Sequence, residues 1–242
     1  MNELIKNNHS ILILIISSSH MQHYESNKNV WLSYMNKYDN IDCFFIEYKN
    51  DIECITVEKN TIFIKGEEKF ENIIHKTLDS MDYFMNSDKY YDFIIRTNLS
   101  SIWDFDKLQE YLHTLPKMNI YAGLRGPFYN KTTHNFWFYF IGGMGIIMSN
   151  DICNLLLKNR NITISFNDID DTDIGYTMHQ FNIPLLEINY CYIYSIQSFE
   201  NNINSIMNKE HFFYRAKSES NDRLDEPIYM KKIVDIIYNS TK

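Results

Sequence analysis

The sequence predicts an α/β fold built on a mainly parallel central sheet with helices on both faces. Three observations carry this. Short, continuous apolar bursts such as Ile11 to Ile16 have the length and composition of buried strands. Between them lie segments whose apolar residues recur at helical spacing, clearest in Phe70, Ile73, Ile74, Leu78, Met81 and Phe84. Finally, 7 Gly and 4 Pro in 242 residues leave few linker candidates, and no repeat or low-complexity block interrupts the chain. We therefore expect one domain over residues 1–242, with 211–242 as a C-terminal tail and closing helix.

The elements follow in order. Ile11–Ser17 reads as the first parallel strand, closed by Ser17, Ser18 and Ser19, where a ligand-binding turn would sit. Val30 to Tyr38 reads as a helix, Cys43 to Tyr48 as a second strand and Thr61 to Lys65 as a short third. Phe70 to Met85 is the helix with the clearest spacing. Tyr91 to Arg96 is a buried strand ending in the polar loop Thr97 to Ser101. Asp104 or Asp106 caps a helix that runs to His113 and stops before Pro116. Asn119 to Leu124 is a strand, and Phe136 to Met148 one or two more. Ser149 or Asn150 caps a helix over Ile152 to Asn159. Ile174 to Phe181 is an amphipathic run, and Pro184 to Ile193 returns to strand. Glu226 to Tyr238 closes the chain as a helix with Pro227 in its first turn.

Bulk properties exclude several classes. A net charge of −8 with no long basic stripe argues against a nucleic-acid partner. The Ile11–Ile16 run is far shorter than the roughly 18–20 residues of a membrane span and carries no cleavage pattern. The expectation is a cytoplasmic protein without a membrane span. Cys43, Cys54, Cys153 and Cys191 show no metal or redox spacing and read as reduced thiols. Several Asn-x-Ser/Thr triplets are chance matches in an Asn-rich chain. Aromatics reach 15%, which suits a sugar site but also follows from an AT-rich coding composition. His20, His23 and His134 lack metal-like spacing and read as loop histidines. Nothing in the sequence sets the oligomeric state.

The densest chemistry is Asp168-Ile-Asp-Asp-Thr-Asp-Ile-Gly-Tyr176, four carboxylates in six positions ahead of an amphipathic run. An acidic loop feeding a helix can hold a general base, because a helix N-terminus stabilises a carboxylate. It can equally be a solvated capping loop. Upstream lies the Gly-rich strand Phe140-Ile-Gly-Gly-Met-Gly-Ile-Ile-Met-Ser149. Gly142 and Gly143 would allow close approach of a ligand to the backbone, or mark a bulge.

Taken in order, His75-Lys-Thr77, Tyr91 to Ser101, Tyr121-Ala-Gly123, Ile141 to Ser149 and Asp170-Asp-Thr-Asp-Ile-Gly-Tyr176 resemble the GT-A fold nucleotide-sugar glycosyltransferases, especially the Fringe and β-1,3-galactosyltransferase type. The resemblance covers roughly residues 9 to 195. It implies inverting transfer of a sugar, from a UDP-sugar donor to a hydroxyl of a glycan or glycoconjugate acceptor. Asp171 would be the general base, with Asp170 and Asp173 as alternates should the match shift by a residue or two. Donor contacts would come from Ser17, Ser18, Ser19, Lys76, Arg96, Asn98, Ser100, Gly142 and Gly143. Trp137 and Asp173 would meet the acceptor; Trp137, Phe138 and Tyr139 could stack on a sugar, although at least one should pack in the core.

The sequence departs from this family where the family holds its metal. Asn98-Leu99-Ser100 stands in place of the aspartate motif, and no histidine lies near Tyr194. Amide and hydroxyl oxygens are weak ligands for Mn²⁺ or Mg²⁺, so no cofactor is expected to be required. The diphosphate charge would fall to Arg96, Arg215 and Lys217, with Arg223 beyond; Arg215 and Lys217 could equally form a solvated basic turn. The competing readings are a catalytically inactive homologue that binds a nucleotide sugar or glycan, and a nucleotide-sugar hydrolase on the same fold.

Overall fold

The computed structural model describes residues 8–19 and 22–239. In chain order its elements are β1 (Ile11–Ile16), α1 (Gln22–Leu32), β2 (Ile41–Lys49), β3 (Thr56–Glu58), β4 (Thr61–Lys65), α2 (Ile73–Met85), β5 (Phe93–Asn98), β6 (Ser101–Trp103), α3 (Phe105–His113), β7 (Tyr121–Tyr129), β8 (Phe136–Ser149), α4 (Asn150–Lys158), α5 (Arg160–Ser165), α6 (Asp170–Gln180), β9 (Leu186–Glu187), β10 (Cys191–Ile193), α7 (Ile196–Met207), β11 (Phe213–Ala216) and α8 (Glu226–Asn239). A single 3-10 turn, Phe70–Asn72, leads into α2.

The expected class is what the chain adopts: a mixed α/β structure around an eight-stranded sheet, ordered β3-β4-β2-β1-β5-β8-β7-β9. β1 pairs in parallel with β2 and β5, and β2 with β4. β8 runs antiparallel between β5 and β7. A three-stranded sheet, β10-β11-β6, stands beside it. Alternate residues of β1 face opposite sides. Ile11, Ile13 and Ile15 join one core with α1, α3, α8 and the small sheet, while Leu12 and Leu14 join another with α2, α4 and α6. The register sets Ile16 beside Asn98, so β1 and β5 end level. Their carboxyl ends and the middle of β8 form one edge, the place where such sheets bind ligands.

Several expectations are corrected. The first helix is Gln22–Leu32, eight residues ahead of Val30, and the chain turns after Leu32. Its first half buries polar rather than apolar groups: Asn27 is fully buried and donates to Glu226 Oε2 at 2.9 Å, so hydrophobic spacing could not show it. His23 is buried on this helix rather than in a loop; His134 lies in a loop, and His20 falls outside the described residues. Pro184 to Ile193 is two short strands in different sheets. Phe136 to Ser149 is one strand of 14 residues with register shifts against β7. Residues 211–217 are no free tail, because β11 is the central strand of the small sheet. Between the two candidate caps of α3, Asp104 is the one used, accepting from Lys107 N at 3.2 Å.

Most of the acidic run is the helix itself and not a loop feeding it: α6 starts at Asp170, four residues before Ile174, and only Asp168 of the four carboxylates lies ahead of it. The Thr172 hydroxyl accepts from Ile169 N at 3.2 Å and donates to Ile169 O at 2.9 Å, fixing this start. Three carboxylates occupy the first turn, where the unpaired N–H groups and the helix dipole favour negative charge.

Candidate active site

A cavity of about 520 Å³ opens at the carboxyl ends of β1 and β5. Its walls bring together Arg96, Asn98, Ser100, Gly142, Gly143, Asp170, Asp171, Arg215 and Lys217, all singled out in the sequence, with Arg223. It adds Tyr24, Phe70, Ile73, Arg125 and Phe140, which the sequence reading missed as site residues. Arg125 could have been noticed, since it follows Tyr121-Ala-Gly123 by two residues on the same strand.

Arg96 organises the floor. It rises from β5, buried, and donates through Nη1 to Asn98 Oδ1 at 2.8 Å and to the Gly143 carbonyl. Its Nη2 pairs with Asp170 Oδ2 at 2.5 Å. Gly143 leaves the room this needs, because a Cβ there would lie 2.6 Å from Arg96 Nη1. Asp171 stands against the same glycine, accepting from Gly143 N at 2.6 Å and from Thr172 N at 2.9 Å. Burial, then the neighbouring Asp170 charge, raise its pKa above the ordinary carboxylate range, against the pull of Arg96 and the two backbone N–H groups. A carboxylate whose pKa is raised accepts a proton more readily.

Gly175, one turn beyond Asp171, sets the spacing. A Cβ there would sit 2.3 Å from Phe140 Cβ, so only glycine lets α6 lie this close to β8. Asp173 is turned away from the cavity, expected though it was at the acceptor. It is buried and accepts from Asp168 N at 2.9 Å, and burial pushes its pKa up to about 6.

Cations and carboxylates around the cavity pair unequally. Arg96 has Asp170, and Arg125 has Glu187 at 3.5 Å. Arg223 is held by Glu226, Nε to Oε1 at 2.6 Å and Nη2 to Oε2 at 3.0 Å. Arg215 and Lys217 have no ion-pair partner among the described residues. Arg215 is 6% exposed, and its side chain donates to the Ser101 hydroxyl at 3.2 Å. Burial pulls its pKa down to about 10, so it stays charged at neutral pH. Lys217 is exposed at the cavity rim; partial desolvation of its ammonium, then Arg215 and Arg223, lower its pKa.

Other expected donor contacts lie outside the cavity wall. Lys76, 1% exposed, binds both Glu68 oxygens at 2.8 and 2.9 Å and donates to Ser17 O at 2.8 Å. Ser17 is buried, its hydroxyl on Glu47 Oε1 at 2.8 Å. Ser18 and Ser19 follow it, and among the described residues of this stretch only Ile16 reaches the cavity wall. Trp137 packs edge-on against Phe138, Phe166 and Tyr176 and tilted against Phe128, although part of it remains exposed.

The residues in the metal-motif position do not fit a divalent cation. Asn98 Oδ1 accepts from Arg96, and Ser100 Oγ accepts from Arg223 Nη2 at 3.3 Å. Two neutral oxygens already serving guanidinium groups offer a hard cation neither charge nor room. Among the described residues no three His, Cys, Asp or Glu side chains are grouped to hold a metal, and no helix is long and apolar enough to cross a membrane.

No protein-family model and no curated protein matches the sequence. Solved structures with a similar course of chain include a glycosyltransferase involved in glycosylation of the major capsid of PBCV-1. It has 11% identity and a TM-score of 0.47, over 91% of this chain and 99% of that one. A 4-diphosphocytidyl-2C-methyl-D-erythritol synthase from Anaerococcus prevotii has 10% identity and a TM-score of 0.49, over 94% and 96%. The galactosyltransferase LgtC, in complex with donor and acceptor sugar analogues, has 9% identity and a TM-score of 0.44, over 96% of each chain. Likenesses of this size assign neither substrate nor mechanism to this chain.

Proposed function

We propose that this protein is an inverting glycosyltransferase that uses a nucleoside-diphosphate sugar, UDP-linked by the resemblance of its motifs, without a metal ion. The observation that carries this is the pair of unmatched cations, Arg215 and Lys217, in a cavity that also holds the Asp171 carboxylate. Arg215 feels the Glu226 carboxylate at longer range, but that carboxylate is bound by Arg223 and Asn27; a buried guanidinium with no carboxylate in contact is costly to the fold unless an anion completes it. Arg215, with the exposed ammonium of Lys217 beside it, suits a diphosphate, and charge-assisted hydrogen bonds would hold its oxygens.

In the reaction, Asp171 takes the proton of the acceptor hydroxyl as that oxygen bonds to the anomeric carbon. The bond from that carbon to the diphosphate oxygen breaks on the opposite face, and the charge released is taken up by Arg215 and Lys217. Arg96 acts through its neighbours: it fixes Asp170 and the Gly143 carbonyl, and so the strand on which Asp171 rests.

Titration calorimetry of UDP-sugars and GDP-sugars, in EDTA and in Mn²⁺, tests the donor site. The expected result is binding of equal affinity in both; no binding of any, or binding in Mn²⁺ alone, would sink the reading. A second reading is an inactive nucleotide-sugar-binding homologue. It is favoured by the fact that both Asp171 oxygens already accept backbone hydrogen bonds, as a purely structural clamp would. Transfer of sugar by the wild-type protein, with an inverted anomeric centre in the product, separates the two.

A further inference from the structure

Beyond the cavity, β7 and β8 continue as a two-stranded ribbon. Its register pairs Tyr129 with Phe136, Phe128 with Phe138 and Pro127 with Tyr139, leaving Trp137 as the extra residue of a bulge. The bulge brings Phe136 onto the face that carries Tyr139. The inner face is packed: Phe138 stacks on Phe128 and on His179 of α6. The outer face is not. Tyr129, Phe136 and Tyr139 are each about half exposed, at 54%, 50% and 48%. Their rings nonetheless form a row, Tyr129 to Phe136 at 6.2 Å and Phe136 to Tyr139 at 4.8 Å between centroids. Arg125, which lines the cavity, lies 4.7 Å over the Tyr139 ring and joins the row to the site.

The geometry points to this row as an acceptor platform, on which an oligosaccharide lies with its terminal sugar in the cavity; the inference rests on the sugar-transfer reading above. Exposed aromatic rings beside a cavity mark a binding surface rather than a fold requirement. A pyranose has one apolar C–H face that packs on the electron-rich face of an aromatic ring, and its hydroxyls need polar partners at the ring edges. Arg125 and Glu187, paired at 3.5 Å, supply both a donor and an acceptor at the cavity end. The four residue steps of strand from Arg125 to Tyr129 span about 13 Å, enough for about two pyranose rings. The acceptor class is thus a glycan of at least two sugars.

A lipid surface is the competing occupant, and the tip of the ribbon disfavours it. A membrane-inserting hairpin presents apolar residues at its tip. Here the tip reads Asn130-Lys-Thr-Thr-His-Asn135, and the Asn130 side chain accepts from Thr132 N and Thr133 N, both at 2.9 Å. Lys131 is further tied to Asp168.

The test is retention of the full-length protein on a printed array of neutral monosaccharides and of oligosaccharides of two or more rings. Wild type should be retained on oligosaccharides and not on monosaccharides. The double variant Phe136→Ala/Tyr139→Ala should lose that retention at least tenfold, while Phe136→Tyr/Tyr139→Phe keeps it. Both variants should bind UDP as wild type does in calorimetry, which shows that the fold and donor site survive. No retention on any oligosaccharide, equal retention on monosaccharides, or retention unchanged in the alanine variant would overturn the platform. So would an alanine variant altered only in binding to phosphatidylcholine–phosphatidylserine vesicles. Failure of UDP to bind wild type would instead count against the donor site and leave the array result to be judged by itself.

Discussion

Lys76 and Arg215 are two buried cations with opposite surroundings. Lys76 sits beneath the end of β1, bound to both oxygens of Glu68 and to a backbone carbonyl. Arg215 sits on the central strand of the small sheet with a serine hydroxyl and, among the described residues, no carboxylate within ion-pair reach. Both were candidates for the donor diphosphate. Burial alone does not separate them, but the contacting counter-ion does: one charge is neutralised within the fold, and the other, on the proposed reading, is left for a ligand. The acidic run repeats the contrast, with Asp171 in the cavity wall and Asp173 turned back onto its own helix start.

The largest effect expected is on turnover. Asp171→Asn keeps shape and loses basicity, so transfer should fall by about 10²–10⁴ with UDP affinity nearly unchanged. An equal loss on Asp173→Asn would erase the distinction between the two aspartates. Next comes Lys76→Met, which strands Glu68 in a buried site and should cost about 3–5 kcal/mol in urea unfolding. Arg215→Met should behave in the opposite sense. It should weaken UDP binding tenfold or more, about 1.5–3 kcal/mol, while the unliganded protein unfolds at the same urea concentration or higher. Equal destabilisation by the two methionine variants would break the comparison.

The smallest effect is pH-dependent. Asp173 has a folded pKa of about 6, above the ordinary value of about 3.9. The folded state therefore favours its protonated form. The contribution is fully present below about pH 4 and is lost as pH rises through about 6. Asp173→Asn should then match wild type near pH 4 and exceed it at pH 7 by up to about 2 kcal/mol. A gain that did not depend on pH would point to packing rather than charge.

Much of this was legible in the chain, for identifiable reasons. The strands β1, β2 and β5 are apolar bursts, and α2 buries a regular stripe, so composition alone marks them. The opening of α1 was hidden because Asn27 is buried through a hydrogen bond to Glu226, 199 residues away. Arg223 and Glu226 are close in sequence, but a charged pair near a helix start usually lies in solvent. Only the fold shows Glu226 drawn inside, where it binds Arg223 directly and reaches Arg215 only at longer range. Residue types pointed to Arg96, Gly143 and Lys217, and the family resemblance to Asp171; the fold brings all four to one cavity wall. Lys76 and Ser17 had the right chemistry at the right strand end, but their partners, Glu68 and Glu47, lie on neighbouring segments that no local pattern connects to them.

Gly175 has one more consequence. The contact it permits between α6 and Phe140 pins the helix one turn from Asp171, and the bond from Gly143 N pins the carboxylate itself. Ile174 and Met178 anchor the same helix in the interior. A side chain mounted at both ends of so short a lever has no stroke. Its position is inherited from the interior of the protein rather than from any mobile segment. On the proposed sugar-transfer reading, any adjustment that brings an acceptor hydroxyl into line would be made by the substrate, and alignment becomes a matter of how the guest is seated.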